Sequence, residues 1–159
     1  MLSELNRSST EEVATAALEV VADTGRELWL NSRRLDAGIF GSPTWGLALS
    51  ALALRHHKVT IQILLREPVL AARQAPAVIA LARRLASRIE IREFAAEQDP
   101  PAEEWLLSDG GATLHRGNLE QREWSYSPHD TARMRRLQGR HQELWDRAEV
   151  CTELREMRI

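Results

Sequence analysis

Apolar positions recur along this chain at two periods, one helical and one alternating, and the changes between them delimit its elements. Val13, Ala16, Ala17, Val20 and Val21 keep helical spacing behind Ser9-Thr10-Glu11-Glu12. Those four residues form a capping box, in which the Ser9 side chain takes an amide of the first turn and a glutamate reaches back. Gly25 closes the pattern, so a helix is predicted over about 9–24. Glu27–Asn31 reads as a short strand with Leu28 and Leu30 on one face. Ser42-Pro43, a cap followed by proline at the first helical position, starts a second helix that buries Trp45, Ala48, Leu49 and Leu52 and runs to about His57.

Val59–Leu65 is β-branched and mostly apolar, as a central strand should be. A third helix opens at Pro76, turns Val78, Leu81, Ala82 and Leu85 inward and ends near Ser87, and Ile89–Phe94 is the next strand. After the Asp99-Pro100-Pro101 loop, Trp105–Leu107 and Ala112–His115 flank an Asp109-Gly110 turn and predict a hairpin, followed by a weaker strand at Trp124–Tyr126. Ser127-Pro128-His129-Asp130 begins the last helix. There Met134, Leu137, His141, Leu144, Trp145, Ala148 and Cys151 keep one face for about six turns, with Gly139 inside at a modest cost.

Helices alternating with strands, then a hairpin and a long helix, predict an α/β fold: a mixed, mainly parallel sheet flanked by helices, with a long C-terminal helix. The expected organisation is a flexible N-terminus over 1–8 and one domain over 9–158. At 159 residues the chain can bury one real core and is too short for two of ordinary size.

Charge narrows the partners. With 21 basic and 23 acidic residues the net charge is -2, so nothing demands a polyanion, and nucleic acid is not an expected partner. Lys58 is the single lysine, an arginine bias that a GC-rich bacterial genome produces without any function. A single cysteine, Cys151, excludes an internal disulfide and a cysteine-based metal site. With no secretory leader and no apolar run of membrane-spanning length, a cytoplasmic protein is expected.

Metal and cofactor chemistry find little support. His56 and His57 are adjacent, so on a helix they point about 100° apart and cannot make the i, i+4 pair of zinc proteins; His129 and His141 are too distant to share an ion. Gly110-Gly111 lacks the dinucleotide fingerprint, and neither a Walker loop nor a Gly-x-Ser-x-Gly elbow occurs. No cofactor is expected.

Polar residues at strand ends remain: Ser32, Arg33 and Arg34, then Arg66 and Glu67, then His115 and Arg116. The carboxyl ends of parallel strands converge on the ligand crevice of such folds. One reading is a small-anion site in which Arg116 or Arg33 pairs a phosphate and His115 transfers protons or attacks phosphorus. The other is ordinary surface arginine with a histidine capping a strand. Arg55-His56-His57-Lys58 falls at a helix C-terminus, where positive groups complement the dipole. His141 is expected to be a hydrogen-bonded core or interface residue, and the five tryptophans core fillers.

The element order, with Glu27-Leu28-Trp29-Leu30-Asn31-Ser32, Val59–Leu65, Leu81–Arg92 and Trp105-Leu106-Leu107-Ser108-Asp109-Gly110, resembles the phospholipase D-like fold. It looks most like a bacterial branch of domains of unknown function that occur alone or attached to an acetyltransferase domain. In catalytic members that resemblance implies His-x-Lys-x-x-x-x-Asp on the hairpin, with the histidine attacking phosphorus and the lysine binding phosphate. Anchored on Asp109, the pattern puts Ala102 in the histidine slot and Glu104 in the lysine slot, and the downstream Gly-Ser-x-Asn falls on Arg116, Gly117, Asn118 and Leu119.

An alanine offers no nucleophile, and a carboxylate repels phosphate. The expectation is a non-catalytic module for a small anion or a partner, with Arg116, His115, Arg33, Arg34 and Asp109 as candidate ligand-binding residues and a homodimer as the assembly. Two alternatives stand beside it: a divergent phosphoesterase or phosphoryl transferase using His115, and a structural domain that dimerises or tethers a partner through the Met134 and Trp145 side of the last helix.

Overall fold

Local signals place most elements close to expectation in the computed structural model, which describes residues 5–7, 9–118, 120–152 and 154. Strand β1 is Leu5–Arg7, and helix α1 spans Thr10–Asp23. The Ser9 hydroxyl accepts from the Glu12 amide at 3.1 Å, and Glu12 Oε1 accepts from the Ser9 amide at 3.4 Å, which completes the capping box. Next come β2, Glu27–Ser32; α2, Pro43–Arg55, capped by Ser42; and β3, Thr60–Leu65. Helix α2 stops at Arg55 instead of His57, because His56 is extended and its Nδ1 accepts from the Lys58 amide at 3.0 Å.

A short helix the pattern did not indicate, α3 at Pro68–Gln74, precedes α4 at Pro76–Arg84; each begins on a proline, whose fixed φ suits the first helical turn. The remaining elements are β4 (Ile89–Glu93), β5 (Glu104–Ser108), β6 (Thr113–Arg116), β7 (Trp124–Ser127), α5 (Thr131–Arg147) and β8 (Glu149–Val150). The last helix is therefore shorter than expected. Ala148 is its extended cap, and Cys151 follows β8, which pairs with β4 and satisfies that edge.

The eight strands among the described residues form one sheet in the order β1-β7-β6-β5-β2-β3-β4-β8. The sheet is mixed, as expected, but its balance is reversed. Only β2, β3 and β4 run parallel, whereas β5, β6, β7, β1 and β8 join antiparallel. Helical crossovers enforce parallel pairing of β2, β3 and β4, and short connections impose antiparallel pairing of β5, β6 and β7, whereas β1, β5 and β8 meet β7, β2 and β4 from distant parts of the chain. Leu5–Arg7, within the segment expected to be flexible, pairs with Trp124–Tyr126; residues 1–4 and 8, like Glu153 and 155–159 at the other end, lie outside the described residues.

The pleat divides the core in two. Leu28 and Leu30 of β2, Ile61 and Ile63 of β3, Leu106 of β5 and Trp124 of β7 face α1, α2, α3 and α4. Trp29, Trp105 and Leu107 face the other way and pack with Met134 and Leu137 of α5. The Met134 and Trp145 side of α5, considered above as a tethering surface, is thus spent internally, with Met134 8% and Trp145 4% exposed. Trp45 and Trp145 are core fillers, and the Trp105 indole N–H donates to His141 Nδ1 at 3.0 Å. No helix among the described residues is long and apolar enough to cross a membrane.

Candidate functional site

Arg116 ends β6 directly opposite Glu104, the first residue of β5. Their side chains form an ion pair that is nearly inaccessible, with Glu104 3% and Arg116 8% exposed. Glu104 is saturated from a second direction, since the Arg33 amide donates to Oε2 at 2.8 Å and the Ser32 hydroxyl at 3.3 Å. Arg116 is held further by the Gln121 carbonyl at 3.3 Å, by Asp36 Oδ2 at 3.6 Å, and by the Trp124 ring, 4.5 Å from the guanidinium carbon to the ring centre. A guanidinium with two carboxylates and an indole face around it has its charge compensated within the protein.

His115 precedes Arg116, so the pleat sends it to the opposite face. There its Nε2 lies 2.7 Å from Glu103 Oε2, while Arg140 of α5 donates to Glu103 Oε1. Burial pushes the Glu103 carboxyl up, but the Arg140 and His115 hydrogen bonds and charges outweigh it and hold the group below the usual carboxylate range. His115 and Arg116, neighbours in sequence, do not share a site.

Of the other candidates, Arg33 and Arg34 lie beside the Arg116 pair, Arg33 through its amide on Glu104 and Arg34 through Asp36, which it shares with Arg116, whereas Asp109 is remote. Arg33 pairs with Glu67 through its side chain, and half-exposed Arg34 lies 3.8 Å from Asp36. Asp109 sits at the far end of the hairpin, where its carboxylate accepts from the Gly25 and Arg26 amides at 2.8 and 2.9 Å. It lies five positions along the chain from Glu104, about 16 Å of strand. The Gly117-Asn118 segment is a turn in which Asn118 Oδ1 accepts from the Glu120 and Gln121 amides at 3.0 and 2.9 Å; Leu119 lies outside the described residues.

Two cavities border these groups. At the carboxyl ends of β2 and β3, where a ligand crevice was expected, Asn31, Ser32, Arg66, Phe94, Pro101 and Glu104 enclose about 10 Å³. That is room for roughly one water. On the α1 side, Ser9, Thr10, Asp36, Arg116, Arg122 and Trp124 line an open cavity of about 350 Å³. Arg122 is exposed there, and sequence reasoning did not single it out. Among the described residues no cluster of His, Cys, Asp or Glu has the geometry to hold a metal ion.

Three parallel strands continued by an antiparallel hairpin, with helices on both faces, define a phospholipase D-like α/β domain. The fold matches Nuc, a phospholipase D family member from Salmonella typhimurium, with a TM-score of 0.66 at 12% identity over 93% of this chain and 98% of that one. NucT from Helicobacter pylori matches at 0.65 and 8% identity, over 93% of this chain and 99% of that one. TrmBL2, an archaeal chromatin protein described as showing a novel mode of DNA binding, matches at 0.68 and 16% identity; the alignment takes in 95% of this chain and 55% of that longer one. No curated protein matches the chain in sequence. Within the fold class, the chain belongs to the DUF7931 family, a domain of unknown function whose model matches residues 9–157.

Proposed function

We propose that this is a non-catalytic phospholipase D-like domain that works as a binding module. The observation that carries the reading is the Glu104 carboxylate, buried and bonded to Arg116, the Arg33 amide and Ser32, beside a crevice of about 10 Å³. A phosphodiester brought there meets a carboxylate in the position the resemblance assigns to the phosphate-binding lysine, and, although Arg33 and Arg66 also line the crevice, it has no room to enter. Ala102, in the position the resemblance assigns to the nucleophile, has no group that could attack phosphorus. The expected result with a chromogenic phosphodiester is a flat progress curve; turnover that disappears in His115→Ala favours the alternative enzyme and sinks this reading.

Small-anion binding keeps support from one place, the 350 Å³ cavity in which exposed Arg122 faces Arg116 and the first residues of α1. Asp36 and Glu104 already compensate Arg116, so Arg122 must supply the attraction. Phosphate that raises the melting temperature of the wild type and not of Arg122→Ala supports the site, and an equal response in both removes it.

A further inference from the structure

Helix α2 carries no charged residue from Pro43 to Leu54, and yet one side of it faces outward. On that side lie Leu47, 73% exposed, exposed Ala51, and Leu54, 59% exposed, spaced four and three residues apart and therefore on one stripe. A helix that meets only water places charge on its outer face. These leucines are two of the four large apolar side chains exposed among the described residues. The stripe is accordingly a candidate contact surface.

Its flanks are charged with opposite sign. Arg55 donates to the Thr24 and Gly25 carbonyls at the end of α1, so α1 lies along one side of α2. Gly46 faces Ala77 of α4, and Arg88 donates to the Ala53 carbonyl, so α4 lies along the other. Each of the three helices precedes a parallel strand, and all three end at the same edge of the sheet. Exposed Glu11 and Glu19 on α1 and exposed Arg84 on α4 have no ion-pair partner among the described residues.

We propose that the partner of this domain is a second copy of the chain, docked through the Leu47–Ala51–Leu54 stripe about a two-fold axis running along α2. The proposal rests on the binding-module reading and names its partner. Area requires the flanks to take part. The outer side of α2, about 20 Å by 10 Å, supplies roughly a quarter of the ~800 Å² per partner that a stable dimer needs. Charge then selects the geometry. With the axis along α2 the two α2 helices run parallel and α1 of each copy faces α4 of the other, which sets Glu19 near the partner copy's Arg84. With the axis across α2 the helices run antiparallel and α1 faces α1, so that Glu11 and Glu19 meet their own kind.

The test uses the full chain in sedimentation over a dilution series. The wild type dimerises reversibly, and Leu47→Glu with Leu54→Glu weakens association by more than about a hundredfold while circular dichroism stays unchanged, because both positions are exposed. Glu19→Arg weakens the dimer and Glu19→Arg with Arg84→Glu restores it. Geometry is read by single cysteines under mild oxidation. Leu47→Cys, Ala51→Cys and Leu54→Cys each give a covalent dimer when α2 helices are parallel, whereas an antiparallel pair cross-links only near its centre, at Ala51→Cys. Buried Cys151 is controlled by the oxidised wild type. A wild type that stays monomeric at the highest attainable concentration, or a dimer indifferent to the leucine substitutions, overturns the proposal. Neither result bears on phosphodiester turnover, which tests the underlying reading separately.

Discussion

Glu104 and Arg116 face each other across the β5–β6 ladder and form an ion pair that closes the end of the hairpin beneath Trp124. Both groups are removed from water, so the pair's contribution to stability is small next to the cost of leaving either partner alone.

Breaking this pair from one side should be severe. Glu104→Ala leaves a buried guanidinium with Asp36 as its remaining carboxylate, and a loss of roughly 3–5 kcal/mol is expected. Arg116→Met alone should cost a similar amount, whereas Glu104→Leu with Arg116→Met should recover most of it. Urea denaturation of the four proteins gives the coupling directly, and additive losses would show that the pair is not energetically linked.

Asp109→Ala should destabilise the fold by about 1–2 kcal/mol without altering any binding at the Arg116 end. Its carboxylate satisfies two backbone amides at the start of β2, a role comparable to a helix cap. Phosphate response in the variant, compared at matched distance from its own melting temperature, separates this role from ligand contact.

Acid should destabilise the protein in two stages. Burial pushes His141 down from 6.5 to about 3. Between those values the unfolded chain binds a proton that the folded one refuses, so stability is full above pH 6.5 and falls as pH drops toward 3. The slope is about 1.4 kcal/mol per pH unit for one proton. Glu103, held below its ordinary 4.5, adds a further loss once pH falls under that value. His141→Gln keeps an acceptor for the Trp105 indole and removes the titration, so its urea midpoint should vary less between pH 6.5 and 3 than that of the wild type.

Two glycines should respond in opposite directions to alanine. Gly111 sits at φ +106°, where an L side chain is strained, and a Cβ there would lie 3.1 Å from His129 Nδ1. Gly111→Ala should cost about 1 kcal/mol or more. Exposed Gly139, inside α5, has nothing within 4 Å of a Cβ, so Gly139→Ala should stabilise by about 0.5–1 kcal/mol. Thermal midpoints of the two variants moving the same way would contradict this account.

The hairpin shows how far sequence reading reached. The Asp109-Gly110 turn read from the sequence would set Glu104 opposite His115, but the observed turn is centred on Gly110, which shifts the register by one residue and sets Glu104 opposite Arg116. The separation of His115 from Arg116, which the sequence reading joined in one site, follows from alternation along one strand. What could not be read was the company each would keep: Asp36 from the loop after β2, Arg140 from α5 and Trp124 from β7 reach the hairpin only through the order of the strands.

By itself the sequence determined most of the elements, though not β1, α3 or β8, because helical period, alternation, the Ser9 and Ser42 caps and the prolines that start α2 and α4 act over a few residues. It also determined the absence of a lysine or histidine from the hairpin positions where the resemblance asks for them. Tertiary structure decided the reversed balance of the sheet, the pairing of β8 with β4, the use of Asp109 as a backbone cap and the nearly filled crevice beside Glu104. Each of these depends on contacts between segments distant in the chain, where local pattern exerts no preference and only the packing of the whole sheet selects a partner.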